Sequence, residues 1–237
     1  MDATVLETIR THAVEVPAEE VCGLIVAAEG GAQVPVRARN LSETRGTHFV
    51  LDPADYVAAV KLGEIAAIYH SHTADEVAAP SPADIAACNR LRIPYVIYYG
   101  ATDAFETILP AAEPTPLIGR KFIWHVHDCY TLIQDYYDRT LGIRLPNFAY
   151  EPFFWRKGGN PYMEGFAAAG FSRIDDSPRV HDVVLMQIHA SVPNHGAVLL
   201  EDGKILHHVI GRLSCRDIYG DYWRRVTVHV IRHKELA

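Results

Sequence analysis

Ile65-Ala66-Ala67-Ile68-Tyr69-His70-Ser71-His72 is an apolar run without polar alternation that ends on two histidines one residue apart. Such a run suits a buried strand. Residues i and i+2 of a strand project to the same side, so His70 and His72 face one space with backbones about 7 Å apart. Two imidazoles so placed can grip one metal ion. Downstream, Pro80-Ser81-Pro82-Ala83-Asp84 precedes Ile85, Ala86, Cys88 and Leu91 at helical spacing. This predicts a helix with Ser81 as N-cap, Pro82 at N1 and Asp84 at N3. Taken alone, Ser-x-x-acid is an ordinary helix start. With His-x-His upstream, it also holds a carboxylate on a fixed helix end, and His/His/Asp leaves one zinc position open for water, the arrangement of a catalytic site.

Working outward toward the N-terminus, Val5 and Ile9 recur at helical spacing within Thr4 to Ala13, before Pro17, and the strand Val21 to Val26 begins just after Glu19-Glu20. Water held by a metal needs a proton acceptor, and Glu20, at the mouth of that strand, is the candidate, with Glu19 its rival. Cys22 and Cys88 lie in apolar contexts and read as small core residues. Toward the C-terminus comes Ala111-Ala112-Glu113-Pro114-Thr115-Pro116, which suits neither a helix nor a central strand. The expected organisation is therefore a first domain over 1–110, a Pro-rich linker over 111–117 and a second domain over 118–237.

In the second half, Asp128-Cys129 opens a segment in which Leu132, Ile133, Tyr136, Tyr137 and Leu141 form one apolar helical face, and Gly142 marks its end. Cys129 then sits at a helix N-terminus, where the backbone N–H groups favour a thiolate nucleophile. Asn194-His195-Gly196-Ala197-Val198-Leu199-Leu200 and Lys204-Ile205-Leu206-His207-His208 read as a hairpin about Glu201-Asp202-Gly203. A two-residue loop would set His207 against Val198 and turn His195 to the other face. A three-residue loop with Gly203 left-handed sets His207 against Ala197 and makes His195 its same-face diagonal neighbour, and this register is expected. His195 would then accept the proton of Cys129, and His207 would orient the imidazole. His208, on the opposite face, reads as structural, and His181 and His189 as surface or packing residues.

The chain of 237 residues, 49% apolar and 22% charged with net charge −7, has the composition of an ordinary globular protein. It lacks the basic excess that duplex nucleic acid attracts, so nucleic acid is not an expected partner. No stretch approaches the roughly 18 apolar residues of a membrane span, and the N-terminus lacks the pattern of a cleaved export signal, which predicts synthesis in the cytoplasm. The four cysteines, Cys22, Cys88, Cys129 and Cys215, form no CxxC pair, so neither a disulfide scaffold nor a cysteine zinc site is expected.

Glu20-Val21-Cys22-Gly23-Leu24, His70-Ser71-His72 and Ser81-Pro82-Ala83-Asp84 together resemble the JAMM (JAB/MPN) metalloprotease pattern. Here eight residues separate His72 from Ser81, where the family has seven, and Thr73 stands where bacterial and phage members usually carry proline. The resemblance implies zinc on His70, His72 and Asp84, Glu20 as general base and Ser81 as an oxyanion-stabilising residue. Cys129, His195-Gly196 and His207, twelve residues after His195, resemble the NlpC-type cysteine peptidases, papain-like enzymes that cut cell-wall stem peptides. Many of these carry a tyrosine about twelve residues before the cysteine; position 117 is Leu117. The implied architecture is two α+β or α/β domains: a JAMM-type central sheet flanked by helices, then a papain-like helix with an antiparallel sheet.

The tandem order resembles the tail tip assembly proteins of lambda-like bacteriophages over residues 3–105 and 117–233. That resemblance implies a two-site peptidase whose partners are bacterial peptidoglycan and other tail tip proteins, located in the host cytoplasm during assembly and at the virion tail tip. A structural tail component with relic sites, and a cellular JAMM enzyme that removes ubiquitin-like tags, are the competing expectations.

Overall fold

The first helix, α1 (Ala3–Glu15), starts where Asp2 accepts the Thr4 N–H, and it buries Val5, Ile9 and Ala13 along one face. The structure is a computed structural model that describes residues 1–28 and 30–237. After α1 come β1 (Cys22–Ala27), β2 (Gln33–Ala38), α2 (Pro53–Val60), β3 (Glu64–His72), α3 (Pro82–Leu91), β4 (Tyr95–Tyr99) and β5 (Ala104–Ile108). The strands form one sheet in the order β2-β1-β3-β4-β5. Among the described residues, only β3 and β4 of this sheet pair in parallel, because a parallel return needs a crossover and α3 supplies it.

Alternation along β3 divides the core. Tyr69 points to the face where Val5 and Ile9 of α1 pack, and Ile68 to the face lined by Ala59 of α2 and Cys88 of α3. His70 and His72 share the parity of Ile68 and so lie on the α3 side. Gly23 is required where β1 crosses Tyr69, since a Cβ there would stand 2.4 Å from the phenol ring. As expected from their apolar contexts, Cys22 and Cys88 are buried.

The two compact units of the chain are Met1–Pro114 and Thr115–Ala237, and residues 111–117 hold no helix or strand. In the second unit α4 (Cys129–Tyr136) passes into a π-helical turn over Tyr137–Leu141, closed by Gly142 at φ 71°. Then follow α5 (Pro161–Gly165), β6 (Phe171–Arg173), β7 (Val183–Met186), β8 (His195–Leu199), β9 (Lys204–His207), β10 (Cys215–Ile218), α6 (Asp221–Val226) and β11 (Thr227–His233). Their antiparallel sheet runs β10-β9-β8-β7-β11-β6. Leu132, Ile133, Tyr136 and Tyr137 pack against Val183, Leu185, Val198 and Leu206 of that sheet, so the apolar face of α4 forms this unit's core.

The β8–β9 hairpin adopts the register with Ala197 opposite His207. Its turn, Glu201–Gly203, carries two left-handed residues, Asp202 (φ 55°) and Gly203 (φ 63°). Among the described residues, no helix is long and apolar enough to cross a membrane.

Candidate active sites

In the first unit, β3 and the start of α3 bring His70, His72 and Asp84 together, all buried. His72 Nε2 lies 3.2 Å from Asp84 Oδ2, His70 Nε2 lies 3.1 Å from Oδ1, and the two rings are 5.3 Å apart. Phe49 stacks on His70 at 4.6 Å. His70 Nδ1 has no hydrogen-bond partner among the described residues, and His70 Nε2 meets Asp84 Oδ1 as an ion-pair contact outside hydrogen-bond geometry. A buried polar group without a partner is unfavourable, and coordination of a divalent cation would satisfy the Nε2 lone pair. Two imidazoles and one carboxylate thus fit the ion implied by the sequence.

Asp84 also completes a capping box. Its Oδ2 accepts the Ser81 N–H at 2.7 Å, and Ser81 Oγ accepts the Asp84 N–H at 3.1 Å. Burial pushes the Asp84 carboxyl up, but His70, His72 and the Ser81 N–H outweigh it and hold the group well below the usual carboxylate range. The extra residue between His72 and Ser81 is taken up in the loop over 73–80, where Glu76 Oε2 accepts the Thr73 N–H at 2.8 Å. Glu20 is buried, whereas Glu19 lies 3.8 Å from Arg45 in a partly exposed ion pair. Burial first, and then the Glu76 and Asp84 charges, push the Glu20 carboxyl up to about 8. Glu76 was not foreseen, because its loop has no pattern that ties it to Glu20.

In the second unit Asp128 caps α4: its carboxylate accepts the Thr131 N–H at 2.9 Å and also takes the Tyr150 hydroxyl. Cys129 is the next residue, and its Sγ accepts a hydrogen bond from the Tyr162 hydroxyl at 3.1 Å. The backbone N–H groups of Gly196 and Tyr130 also favour the thiolate. Gly196 directly follows His195, and a Cβ at that position would stand 2.9 Å from Ile133 Cδ1 and 3.0 Å from the Tyr162 hydroxyl. His195 itself opens a chain of polar contacts. His195 Nε2 is 3.2 Å from His207 Nδ1, and His207 Nε2 is 3.1 Å from Asp217 Oδ2. Trp223 covers His207 edge-on at 4.6 Å.

The helix start does not dominate the electrostatics as expected. Burial, with the Asp128 charge adding, pushes the Cys129 thiol up to about 12, against the pull of the Tyr162 hydroxyl and the two N–H groups. Burial, helped by His207 and His208, pushes His195 down to about 3. A helix terminus contributes about 0.3–1 kcal/mol in exposed settings, less than the desolvation of a buried charge. The resting pair is a neutral thiol and a neutral imidazole.

Two residues of this site were absent from the sequence reading. Tyr162, on α5, supplies the phenol beside the sulfur that Leu117 lacks; Leu117 packs against the core instead. Asp217 comes from β10, whose only sequence signal is the same-face pair Cys215 and Asp217. His208 packs edge-on to Phe122, His181 Nδ1 lies 2.7 Å from the Tyr136 hydroxyl, and His189 is exposed, in keeping with roles outside the site.

Residues 2–109 match the family model for prokaryotic homologs of the JAB domain, and residues 119–232 that of the NlpC/P60 family. Tail tip assembly protein K of Escherichia phage N15 is 35% identical over 233 residues, which cover 98% of this chain and 95% of that protein. Tail tip assembly protein K of Escherichia phage lambda is 34% identical over 186 residues, 78% of this chain and 89% of that protein. A solved NlpC/P60 family protein from Bacillus cereus is similar at TM-score 0.34 and 12% identity, over 94% of this chain and 66% of that one, too distant a likeness to carry structural argument. On these two matches the chain belongs to the phage tail tip assembly protein K family, and in it a JAB-like domain precedes an NlpC/P60 domain.

Proposed function

We propose that the second unit is a thiol peptidase that hydrolyses peptide bonds of peptidoglycan stems as a phage tail penetrates the wall, with Cys129 as nucleophile, His195 as base and His207 as the orienting residue. The observation that carries this reading is the polar chain from Asp217 through His207 to His195, whose chain neighbour Gly196 packs against the Tyr162 hydroxyl that donates to Cys129. The carboxylate of Asp217 accepts only, so His207 Nε2 bears its proton and His207 Nδ1 is an acceptor. It takes the His195 Nε2–H, which leaves His195 Nδ1 unprotonated.

That nitrogen receives the proton as Cys129 Sγ bonds to the scissile carbonyl carbon. His207 and Asp217 then stabilise the imidazolium. The Tyr162 hydroxyl and the backbone N–H groups of Cys129 and Tyr130 are the donors beside the oxyanion. Collapse breaks the C–N bond, His195 returns the proton to the leaving amine, and water, deprotonated by the same imidazole, releases the acyl group.

For the first unit we propose zinc-dependent peptidase or isopeptidase chemistry. His70, His72 and Asp84 would hold the ion, which when bound supplies Lewis acidity. Glu20 holds and releases the proton at its carboxylate, and its raised affinity for protons falls when positive charge is placed among the ligands. Ser81, fixed by the capping box, keeps its hydroxyl proton free to donate to a developing oxyanion. The names of the relatives support association with other tail tip proteins during assembly in the host and presence at the virion tail tip.

The test is turnover of purified peptidoglycan by the intact chain, followed as released stem fragments. Turnover that is lost in Cys129→Ala and kept in His70→Ala is the expected result. Equal release by Cys129→Ala, or none by the intact chain, would overturn the assignment and favour a structural tail component.

A further inference from the structure

Among the described residues, and outside those that touch substrate in that reading, one more set of ligating side chains converges. His207 Nε2, Cys215 Sγ and the Asp217 carboxylate lie within 4.8 Å of one another. Strand alternation accounts for it: Cys215 and Asp217 are i and i+2 on β10, and the β9–β10 register places Cys215 directly opposite His207. The sulfur is 3.5 Å from His207 Nε2 and 3.8 Å from Asp217 Oδ1, and Nε2 is 3.1 Å from Asp217 Oδ2. Donors of a tetrahedral zinc ion, at bond lengths of about 2.0–2.3 Å, stand about 3.4–3.6 Å apart, so the trio needs adjustments of only a few tenths of an ångström. β10 is the edge strand of its sheet, and Cys215 and Asp217 are partly exposed while His207 is buried. An ion therefore has access from solvent.

We propose that His207, Cys215 and Asp217 form a second divalent-metal site, for zinc or a chemically similar ion, and that its occupation and thiol catalysis exclude one another. One thiolate and one carboxylate neutralise a divalent charge, and the nitrogen, sulfur and oxygen donors suit a borderline ion. The exclusion, which rests on the peptidase reading above, follows from where the protons sit. Without metal, His207 bears its proton on Nε2 and His195 bears its own on Nε2, leaving His195 Nδ1 as the base. Metal at His207 Nε2 moves that proton to His207 Nδ1, which now donates to His195 Nε2. The His195 proton moves in turn to Nδ1, the nitrogen that must be bare to take the thiol proton. Each imidazole keeps one proton, and the Cys215 thiol releases one to solvent.

Cobalt titration of the full chain tests the site without reference to activity. A thiolate-to-cobalt charge-transfer band in the near ultraviolet requires a sulfur ligand, which the His70, His72 and Asp84 set lacks. The band is expected in the wild type and in Cys129→Ala, lost in Cys215→Ser, and displaced to about tenfold higher cobalt or more in Asp217→Asn. Absence of the band in the wild type, or its survival in Cys215→Ser, overturns the site. For the exclusion, peptidoglycan turnover is measured in His70→Ala with and without zinc. A fall of at least about a hundredfold, the scale on which a misprotonated triad histidine fails, with recovery on chelation, is expected.

When Cys215→Ser is added, zinc should change the rate by less than about twofold relative to that variant's own metal-free rate. Equal inhibition with and without Cys215 would put the ion on Cys129 and His195 and overturn the exclusion. If the intact chain turns over no peptidoglycan, the peptidase reading fails while the cobalt band still decides the site.

Discussion

Tyr162→Phe deletes one hydroxyl and keeps the ring that packs against Phe154 at 6.5 Å. The lost atom donates to Cys129 Sγ at 3.1 Å. A hydrogen bond to an ionised acceptor contributes about 1.5–3 kcal/mol, and one pKa unit corresponds to about 1.4 kcal/mol, so the thiol of the variant should rise by about 1 to 2 pH units. At pH 8, below the thiol pKa, the thiolate fraction falls in the same proportion. The remaining thiolate is the stronger nucleophile, with a Brønsted slope of about 0.4–0.5, and the net loss in alkylation rate is about 3- to 16-fold. The assay is iodoacetamide labelling of the native chain, read at the peptide that contains Cys129 by mass spectrometry. It needs no substrate. A labelling rate equal to that of the wild type would show that the hydroxyl does not act on the sulfur, and faster labelling would show that it shields the sulfur instead.

Asp217→Asn should lower kcat for peptidoglycan by about ten- to a hundredfold and leave KM within about twofold, since the carboxylate fixes a tautomer and touches no substrate; a KM effect with kcat unchanged would contradict the relay. In a Cys215→Ser background, Asp84→Ala should lose the zinc retained after dialysis and lower stability by about 1 kcal/mol through the lost capping-box bond to the Ser81 N–H, checked by metal analysis and urea midpoints. Burial holds His195 down to about 3, so between the unfolded value of about 6.5 and that value the unfolded chain binds a proton that the folded chain refuses. The stabilisation is complete above that window and is lost as pH falls through it, by about 2 kcal/mol at pH 5. The urea midpoint should therefore drop more from pH 7 to pH 5 in the wild type than in His195→Gln, and equal drops would refute the account.

The readable parts of this chain were those in which one local rule decides direction. Strand alternation placed His70 and His72 on one face, the Ser81 and Asp128 caps fixed two helix starts, and a left-handed Gly203 selected the hairpin register that joins His195 to His207. The residues that were missed reach their sites by tertiary routes. Tyr162 comes from a five-residue helix 33 positions beyond Cys129, Asp217 from an edge strand, and Glu76 from the irregular loop after His72. The charge state of Cys129 was hidden for a related reason: a helix start is visible in sequence, whereas the depth of burial that outweighs it depends on residues such as Tyr162 and Gly196 that fold over the sulfur.

Asp84 closes the first turn of α3 with the same carboxylate that faces His70 and His72. Any ion that draws this side chain toward the imidazoles competes with the Ser81 amide for it, and conversely a frayed α3 start releases a ligand. Helix initiation and ion binding at that carboxylate would therefore be linked with opposite sign: an ion held there would loosen the Ser81 amide, a chelator would restore its bond, and exchange of that amide with deuterated solvent would gauge occupancy at the neighbouring histidines.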